Sequence, residues 1–182
     1  MFQRIRVIDN RVLDGVSAIQ CKFLDTMMVM FTYAGTGAFV WWVVLTVPFL
    51  LSAPYRKTGI ILIVALGVNY VLGEIIIKKA VGRDRPSTLL PEDEMKINKP
   101  KDHSFPSGHS ASSFCAFAVT AICCPPFIWA PALFGALMIA FSRIYLRVHY
   151  LSDVLGGIVL GLIDGTAIAM LMREVVLVNL HF

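Results

Sequence analysis

The chain has 182 residues, of which 57% are hydrophobic and only 15% charged, with a mean hydropathy of +0.74. That balance excludes an ordinary soluble domain and places the chain in a bilayer. The net charge of +4 comes without a basic stripe interleaved with aromatics, so nucleic acid is not an expected partner, and the excess suits anionic lipid headgroups instead.

In chain order, residues 1–34 come first. "MFQRIRVIDNRVLDGVSAIQCKFLD" mixes Arg4, Arg6, Arg11 and Lys22 with Ile5, Ile8, Val12, Leu13 and Val16. It lacks the unbroken apolar core of a cleaved signal peptide. It reads as an amphipathic helix lying in the interface, followed by a half-buried stretch at 23–34, with a sixth span made from these residues as the alternative. Runs able to cross about 30 Å of hydrocarbon, which takes roughly 20 residues, then fall at 36–52, 58–77, 108–124, 127–142 and 154–172. The expected fold is all-α and integral to the membrane: one domain over 1–182, a compact bundle of five to six transmembrane helices with an interfacial N-terminal helix.

At the end of the second of these runs Glu74 precedes Lys78 by four residues, on one helical face and in the favourable order, so Glu74 is expected to hold Lys78 in position. "KKAVGRDRP" then sets four cations, among them Lys78 and Arg85, in eight residues, more than snorkelling at a span end requires. Residues 82–106 are expected to form a loop on the same membrane face, with "STLLPEDEMKINKPKD" from Ser87 to Asp102 solvated and without chemistry.

"KDHSFPSGHSAS", residues 101–112, carries Pro106 and Ser107 where the third run begins, and both residue types suit a helix start. A helix N-terminus presents unpaired N–H groups and partial positive charge to an anion the size of phosphate. Gly108 allows close approach there, Ser107 adds a hydroxyl and His109 an imidazole, while His103 reads as a peripheral loop histidine. "SRIYLRVHYLSDVLGG", residues 142–157, adds Arg143, whose planar fork matches phosphate oxygens. His149 and Asp153 stand four apart and meet if the segment is helical. A carboxylate on one imidazole nitrogen fixes the tautomer and makes the other nitrogen the better nucleophile. Counting spans brings the ends at 77, 107, 142 and 153 to one membrane face. Arg147 is a further cation beside His149, facing either a second phosphate or lipid headgroups, with the second favoured.

In the last run Gly157, Gly161 and Gly165 recur at every fourth position and permit close helix packing, within the chain or in a homo-oligomer. Asp164 is expected to bond a neighbouring helix or to support the site from behind. Cys21, Cys115, Cys123 and Cys124 show no paired-ligand spacing and read as packing residues.

Three blocks, Lys78 with Arg85-Pro86 six residues on, Pro106-Ser107-Gly108-His109, and Ser142-Arg143 followed by His149 and Asp153, resemble in order and spacing the signature of the type 2 phosphatidic acid phosphatase superfamily, membrane lipid phosphatases related to vanadium haloperoxidases. The resemblance covers residues 78–153. It implies that His149 attacks phosphorus to give a phosphohistidine, that Asp153 orients His149, and that His109 protonates the leaving oxygen and later activates water. It further implies that Lys78, Arg85, Ser107, the Gly108 backbone and Arg143 hold the phosphoryl oxygens, with neither metal nor cofactor; Glu74 and Arg147 are supporting residues by their positions alone, and Arg147 is a departure from the pattern. A metal site from His103, His109, His149 and Asp153 has no ligand spacing to mark it.

The expected activity is metal-independent hydrolysis of a lipid phosphate or diphosphate, undecaprenyl diphosphate, phosphatidylglycerol phosphate or phosphatidic acid. The alternative is a non-catalytic lipid-phosphate binder or transporter built on the same cations. Nine Lys and Arg lie on the site's face from residue 78 to 147 and four in the N-terminal segment, against three on the other face, which by the positive-inside rule puts the site in the cytoplasm. Several of those cations are assigned to the site itself, and the resemblance implies an extracytoplasmic site. The expected placement is the bacterial plasma membrane with the site facing out.

Overall fold

The computed structural model describes residues 2–179, and every regular element among them is helical. Helix α1, Phe2–Ala18, turns Asp9, Leu13 and Val16 inward, a spacing of four and then three that keeps them on one stripe, while Arg6 and Arg11 face out. Helix α2, Lys22–Gly35, is joined to α3, Trp41–Leu51, through a bend of 68°. Gly37 and Ala38 cause it: both are left-handed, at φ +58° and +56°, a conformation that costs glycine little and alanine about 1 kcal/mol.

The straight run read over 36–52 is therefore the second limb of a broken element that starts at Lys22, inside the stretch read as half-buried at 23–34. Apolar residues flank the break on both sides, and Gly35 and Gly37 are its one mark in the sequence. Trp41 fixes the second limb by donating its indole N–H to Ser113 Oγ at 3.0 Å.

Helix α4 runs from Ala53 to Val81 and contains a wide π turn over Val71–Ile77, just before Lys78. It ends where Gly82 turns left-handed (φ +60°) and its N–H closes onto the Lys78 carbonyl at 3.1 Å, the usual glycine stop signal. After the loop come α5, Gly108–Cys123, α6, Pro126–Tyr145, and α7, Leu151–Asn179. Helices α4, α6 and α7 are long and apolar enough to cross a membrane; the bent α2/α3 pair makes a fourth if its limbs count as one. Helix α5, expected as a span over 108–124, has 16 residues and thus reaches only about 24 Å. It is the bundle's axis, packing against α4, α6 and, most extensively, α7.

Helices α5 and α7 touch through backbone. A Cβ on Gly157 would stand 2.5 Å from the Ser107 carbonyl oxygen, one on Gly161 2.2 Å from that of Ala111, and one on Gly165 2.7 Å from that of Cys115. Three glycines at four-residue intervals thus lie over three carbonyls at the same interval. The glycine row is an internal seam. Asp164, one residue short of it, accepts a 2.7 Å hydrogen bond from Asn69 of α4, the neighbouring-helix bond expected of a buried membrane acid. The four cysteines are free thiols, Cys115 buried and Cys21 exposed.

Because α5 is held on its other sides, a methyl at the seam cannot be absorbed by a small rotation. Gly161→Ala should destabilise the protein by about 1–3 kcal/mol, seen as a lower melting temperature in detergent. Gly15→Ala, whose Cβ meets nothing within 4 Å, should not lower it. Equal melting of the two variants would contradict the seam.

Candidate active site

The groups picked out along the chain converge on one cavity of about 630 Å³, lined at its polar end by Glu74, Lys78, Arg85, Asp102, Gly108, His109, Arg143 and His149. Four segments deliver them: the last turn of α4 and the loop after it, the start of α5, the end of α6, and the turn before α7. From Lys78 the cavity follows α4 down to Leu66, about 18 Å along a helix, between Trp42, Tyr70 and Gly73. Its mouth is charged and its depth apolar.

The cations are held by specific acceptors. Lys78 Nζ donates to Glu74 Oε1 and Oε2 at 2.7 and 2.6 Å and to Asp102 Oδ2 at 2.7 Å. Arg85 donates Nε to the Asp102 carbonyl at 2.8 Å and Nη2 to Asp102 Oδ1 at 2.9 Å. Burial alone would raise the Asp102 carboxyl, but the Lys78 hydrogen bond and the charges of Arg85 and Lys78 hold it below its ordinary value. Asp102 is thus a carboxylate bridging two of the three cations, a contact the sequence reading left without chemistry. Arg143, buried at the end of α6, donates Nη1 to Thr32 Oγ1 and leaves Nε without a partner.

His149 lies in the turn between α6 and α7. Its Nε2 is 2.8 Å from Arg85 Nη1. A guanidinium only donates, so Nε2 accepts and the ring proton sits on Nδ1. Nδ1 faces Asp153 Oδ2 at 3.6 Å, longer than a hydrogen bond, and has no other partner. Burial first, then the charges of Arg85 and Arg143, push the imidazole well below its ordinary 6.5. His149 is therefore a neutral base with its lone pair turned to the cation cluster.

His109 enters the same cavity from the first turn of α5. Its Nε2 lies 3.1 Å from the Thr32 carbonyl, to which it must donate, and Gly35 makes room, since a Cβ there would sit 2.8 Å from His109 Cδ2. Gly108 is as tight: its Cβ would fall 2.0 Å from Glu74 Oε1. Neither Thr32 nor Gly35 stands out in the sequence, because both belong to a helix that meets α5 and α6 only through tertiary packing.

Two expected residues stand elsewhere. Ser107 is fully buried and lies off the cavity wall; its Oγ caps α5, accepting from the Ser110 amide at 3.4 Å and the Ser110 hydroxyl at 2.9 Å, and its own amide donates to the Asp153 carbonyl at 3.0 Å. Arg147, left-handed at φ +56°, lines a separate recess of about 280 Å³ with Gln20, Asp93, Glu94 and Lys96. His103 is exposed beside Gly82. Among the described residues no group of three His, Cys, Asp or Glu side chains is arranged to hold a metal ion.

A helical membrane protein that gathers three cations, a helix N-terminus and two imidazoles at one end of its bundle is of the class that handles phosphoryl groups at the membrane surface. Residues 58–176 match the model of the PAP2 superfamily, and the chain belongs to that superfamily. It is 30% identical over 120 residues to an undecaprenyl-diphosphatase of Sulfolobus acidocaldarius, a match covering 66% of this chain and 58% of that relative's length. It is 28% identical over 174 residues to phosphatidylglycerophosphatase B of Bacillus subtilis, covering 87% and 80%. The crystal structure of a PAP2-type phosphatidylglycerolphosphate phosphatase from Bacillus subtilis superposes with a TM-score of 0.76 at 23% identity, over 98% of this chain and 89% of that one. That of Aquifex aeolicus LpxE gives 0.69 at 26%, over 95% and 94%.

The state of His149 is measurable without substrate. In ring-labelled protein its NMR titration should give a midpoint below the ordinary 6.5, with the proton on Nδ1 throughout the neutral range. A midpoint at or above that value, or an Nε2–H tautomer, would contradict the geometry.

Proposed function

We propose that the protein is a metal-independent hydrolase of a lipid phosphate or diphosphate, acting through a phosphohistidine on His149. The observation that carries this reading is the His149 tautomer: Nε2 unprotonated among three cations, Nδ1–H turned to a carboxylate. Binding alone has no need of a poised nucleophile, which weighs against a passive lipid-phosphate carrier.

The steps follow from the positions. Lys78, Arg85 and Arg143 take the phosphoryl oxygens, together with the amide end of α5 at Gly108. The incoming phosphate competes with Asp102 for Lys78 and Arg85, and as Arg85 turns to the phosphoryl oxygens it uncovers the Nε2 lone pair. Nε2 attacks phosphorus and the bond from phosphorus to the leaving oxygen breaks. His109, charged once the phosphate stands alongside, gives that oxygen its proton. Water then attacks phosphorus while His109 takes its proton, a P–O bond forms as the P–N bond breaks with its electrons returning to Nε2, and inorganic phosphate and neutral His149 result. Asp153 offsets the positive charge on His149 in both transition states.

The apolar depth between α2, α3 and α4 suits a lipid chain, and we infer a bundle of five spans, counting α5 and the bent pair, with α1 in the interface. Undecaprenyl diphosphate, phosphatidylglycerol phosphate and phosphatidic acid are the substrates we favour, the first two in keeping with the names of the similar proteins. Phosphate release from a panel of purified lipid monophosphates and diphosphates, with chelator present throughout, tests the reading. At least one lipid should be hydrolysed, and His149→Ala should lower kcat by 1,000-fold or more, on the order seen when a nucleophile is removed, while lipid still binds. Loss of activity to chelation, or an active His149→Ala, would overturn it.

We further propose that the site faces outward from a bacterial plasma membrane. A cysteine placed at Asn98, with Cys21 replaced, should react with an impermeant maleimide in intact cells. Reaction only after lysis would put the site inside.

A further inference from the structure

Behind the nucleophile lies a network that the proposed reaction does not yet use. Arg83, in the loop just after α4, donates Nη1 to Asp153 Oδ1 at 2.7 Å and Nη2 to Asp9 Oδ2 at 2.8 Å. Its guanidinium lies over the Tyr150 ring, 4.2 Å from the centroid. The Asp9 carboxylate accepts the Ser152 amide at 2.9 Å and the Ser152 hydroxyl at 2.7 Å, and that hydroxyl also accepts from Arg83 Nη1 at 2.7 Å. Asp9 and Asp153 are 1% and 0% exposed. One guanidinium is therefore shared by two buried carboxylates, one from the N-terminal helix and one from the helix that carries the site.

The two Asp153 oxygens have different tasks. Oδ1 is taken by Arg83, whereas Oδ2 accepts the Tyr150 amide at 2.9 Å and faces His149 Nδ1 at 3.6 Å. If Arg83 let go, the carboxylate could rotate about its Cβ–Cγ bond and its full charge would fall on His149. Asp9 fixes Arg83 in turn, and by accepting the Ser152 amide it also caps the first turn of α7 from outside that helix.

Resting on the reading of His149 as nucleophile, we propose that Arg83 and Asp9 are positioning residues for the reaction: Asp9 sets Arg83, Arg83 sets Asp153, and Asp153 sets the Nδ1 side of His149. Neither touches the cavity. The amphipathic helix α1 thereby becomes part of the catalytic apparatus, because the same inward stripe that seats Leu13 and Val16 in the core delivers Asp9 to Arg83.

The test combines kinetics with the His149 titration. Arg83→Gln should lower kcat about 10- to 100-fold, as loss of an outer hydrogen-bonding partner does elsewhere, with KM little changed, and Arg83→Lys should recover part of it. Asp9→Asn should give a smaller loss of the same kind, and the double variant should be no worse than Arg83→Gln alone, since both act along one path. The His149 midpoint should move in opposite directions, up in Arg83→Gln and down in Asp9→Asn. Its other charged neighbours, Arg85, Arg143, His109 and Lys78, are the same in both variants. A merely structural role would lower the melting temperature without opposed shifts.

Wild-type kcat in Arg83→Gln, additive losses in the double variant, or shifts of one sign would overturn the proposal. Should Arg83→Gln not fold, Arg83→Lys and Asp9→Asn carry the test: a loss of kcat in both supports it, and wild-type kcat in both defeats it. A wild-type protein that releases phosphate from no lipid in the panel defeats the hydrolase reading, whereas the opposed shifts of His149 would still stand or fall separately.

Discussion

The bundle depends on the contact between α5 and α7. In lipid, apolar side chains gain nothing by leaving the solvent for each other, so helices associate through close packing and polar contacts. Gly157, Gly161 and Gly165 remove the side chains from one face of α7, and the carbonyls of Ser107, Ala111 and Cys115 occupy the space that Cβ atoms there would take, so that the two backbones gain dispersion contact. The upper end of the seam is a true hydrogen bond, the Ser107 amide to the Asp153 carbonyl at 3.0 Å. That bond fixes the register. A slip of one residue along either helix would move the His109 end of α5 by about 1.5 Å and turn it by about 100°, and the two imidazoles would no longer open onto one cavity.

On this frame the site is a problem in charge. Lys78, Arg85 and Arg143 converge where water is scarce, and their mutual repulsion must be met by anions close at hand. Glu74 and Asp102 meet it for Lys78 and Arg85, leaving three cations against two carboxylates. Behind His149 the balance is reversed, with Asp9 and Asp153 against Arg83 alone. The imidazole therefore sits between a region with an excess positive charge and one with an excess negative charge. That is the polarity a nitrogen needs to attack an anionic phosphorus centre and become positive itself.

Much of this was legible in the residue order, for identifiable reasons. Lys78, Arg85, His109, Arg143 and His149 each stand at a helix end or in the turn beside it, so counting spans was enough to bring them to one face. The glycine period pointed to close packing, although only the structure shows which carbonyls it meets. What was not legible depends on contacts between distant segments. Asp9 and Arg83 are 74 positions apart, and each alone looks like an interfacial charge. The bend between α2 and α3 follows from two consecutive left-handed residues, Gly37 and Ala38, and Thr32 and Gly35 reach His109 because α2 packs against α5 and α6. Ser107 was read as a ligand from its place at a helix start, but the same place commits its hydroxyl to the cap.

Two of the unpartnered buried atoms belong to the site. Most polar side chains along the helices are matched: Asn69 with Asp164, Trp41 with Ser113, Thr120 with the carbonyls of its own preceding turn. Leaving a buried donor unmatched costs about 1–3 kcal/mol, so each exception calls for a reason. Among the described residues Ser87 Oγ, Arg147 Nε and Asp164 Oδ1 are exceptions away from the cavity, whereas Arg143 Nε and His149 Nδ1 belong to residues on its wall. Each has a function in phosphoryl transfer that a fixed partner would oppose: Arg143 must present its fork to oxygens whose charge grows in the transition state, and Nδ1–H must shorten its 3.6 Å approach to Asp153 as His149 becomes cationic. Stability forgone in the ground state thus becomes available when charge develops, the condition under which an interaction accelerates a reaction instead of merely tightening binding.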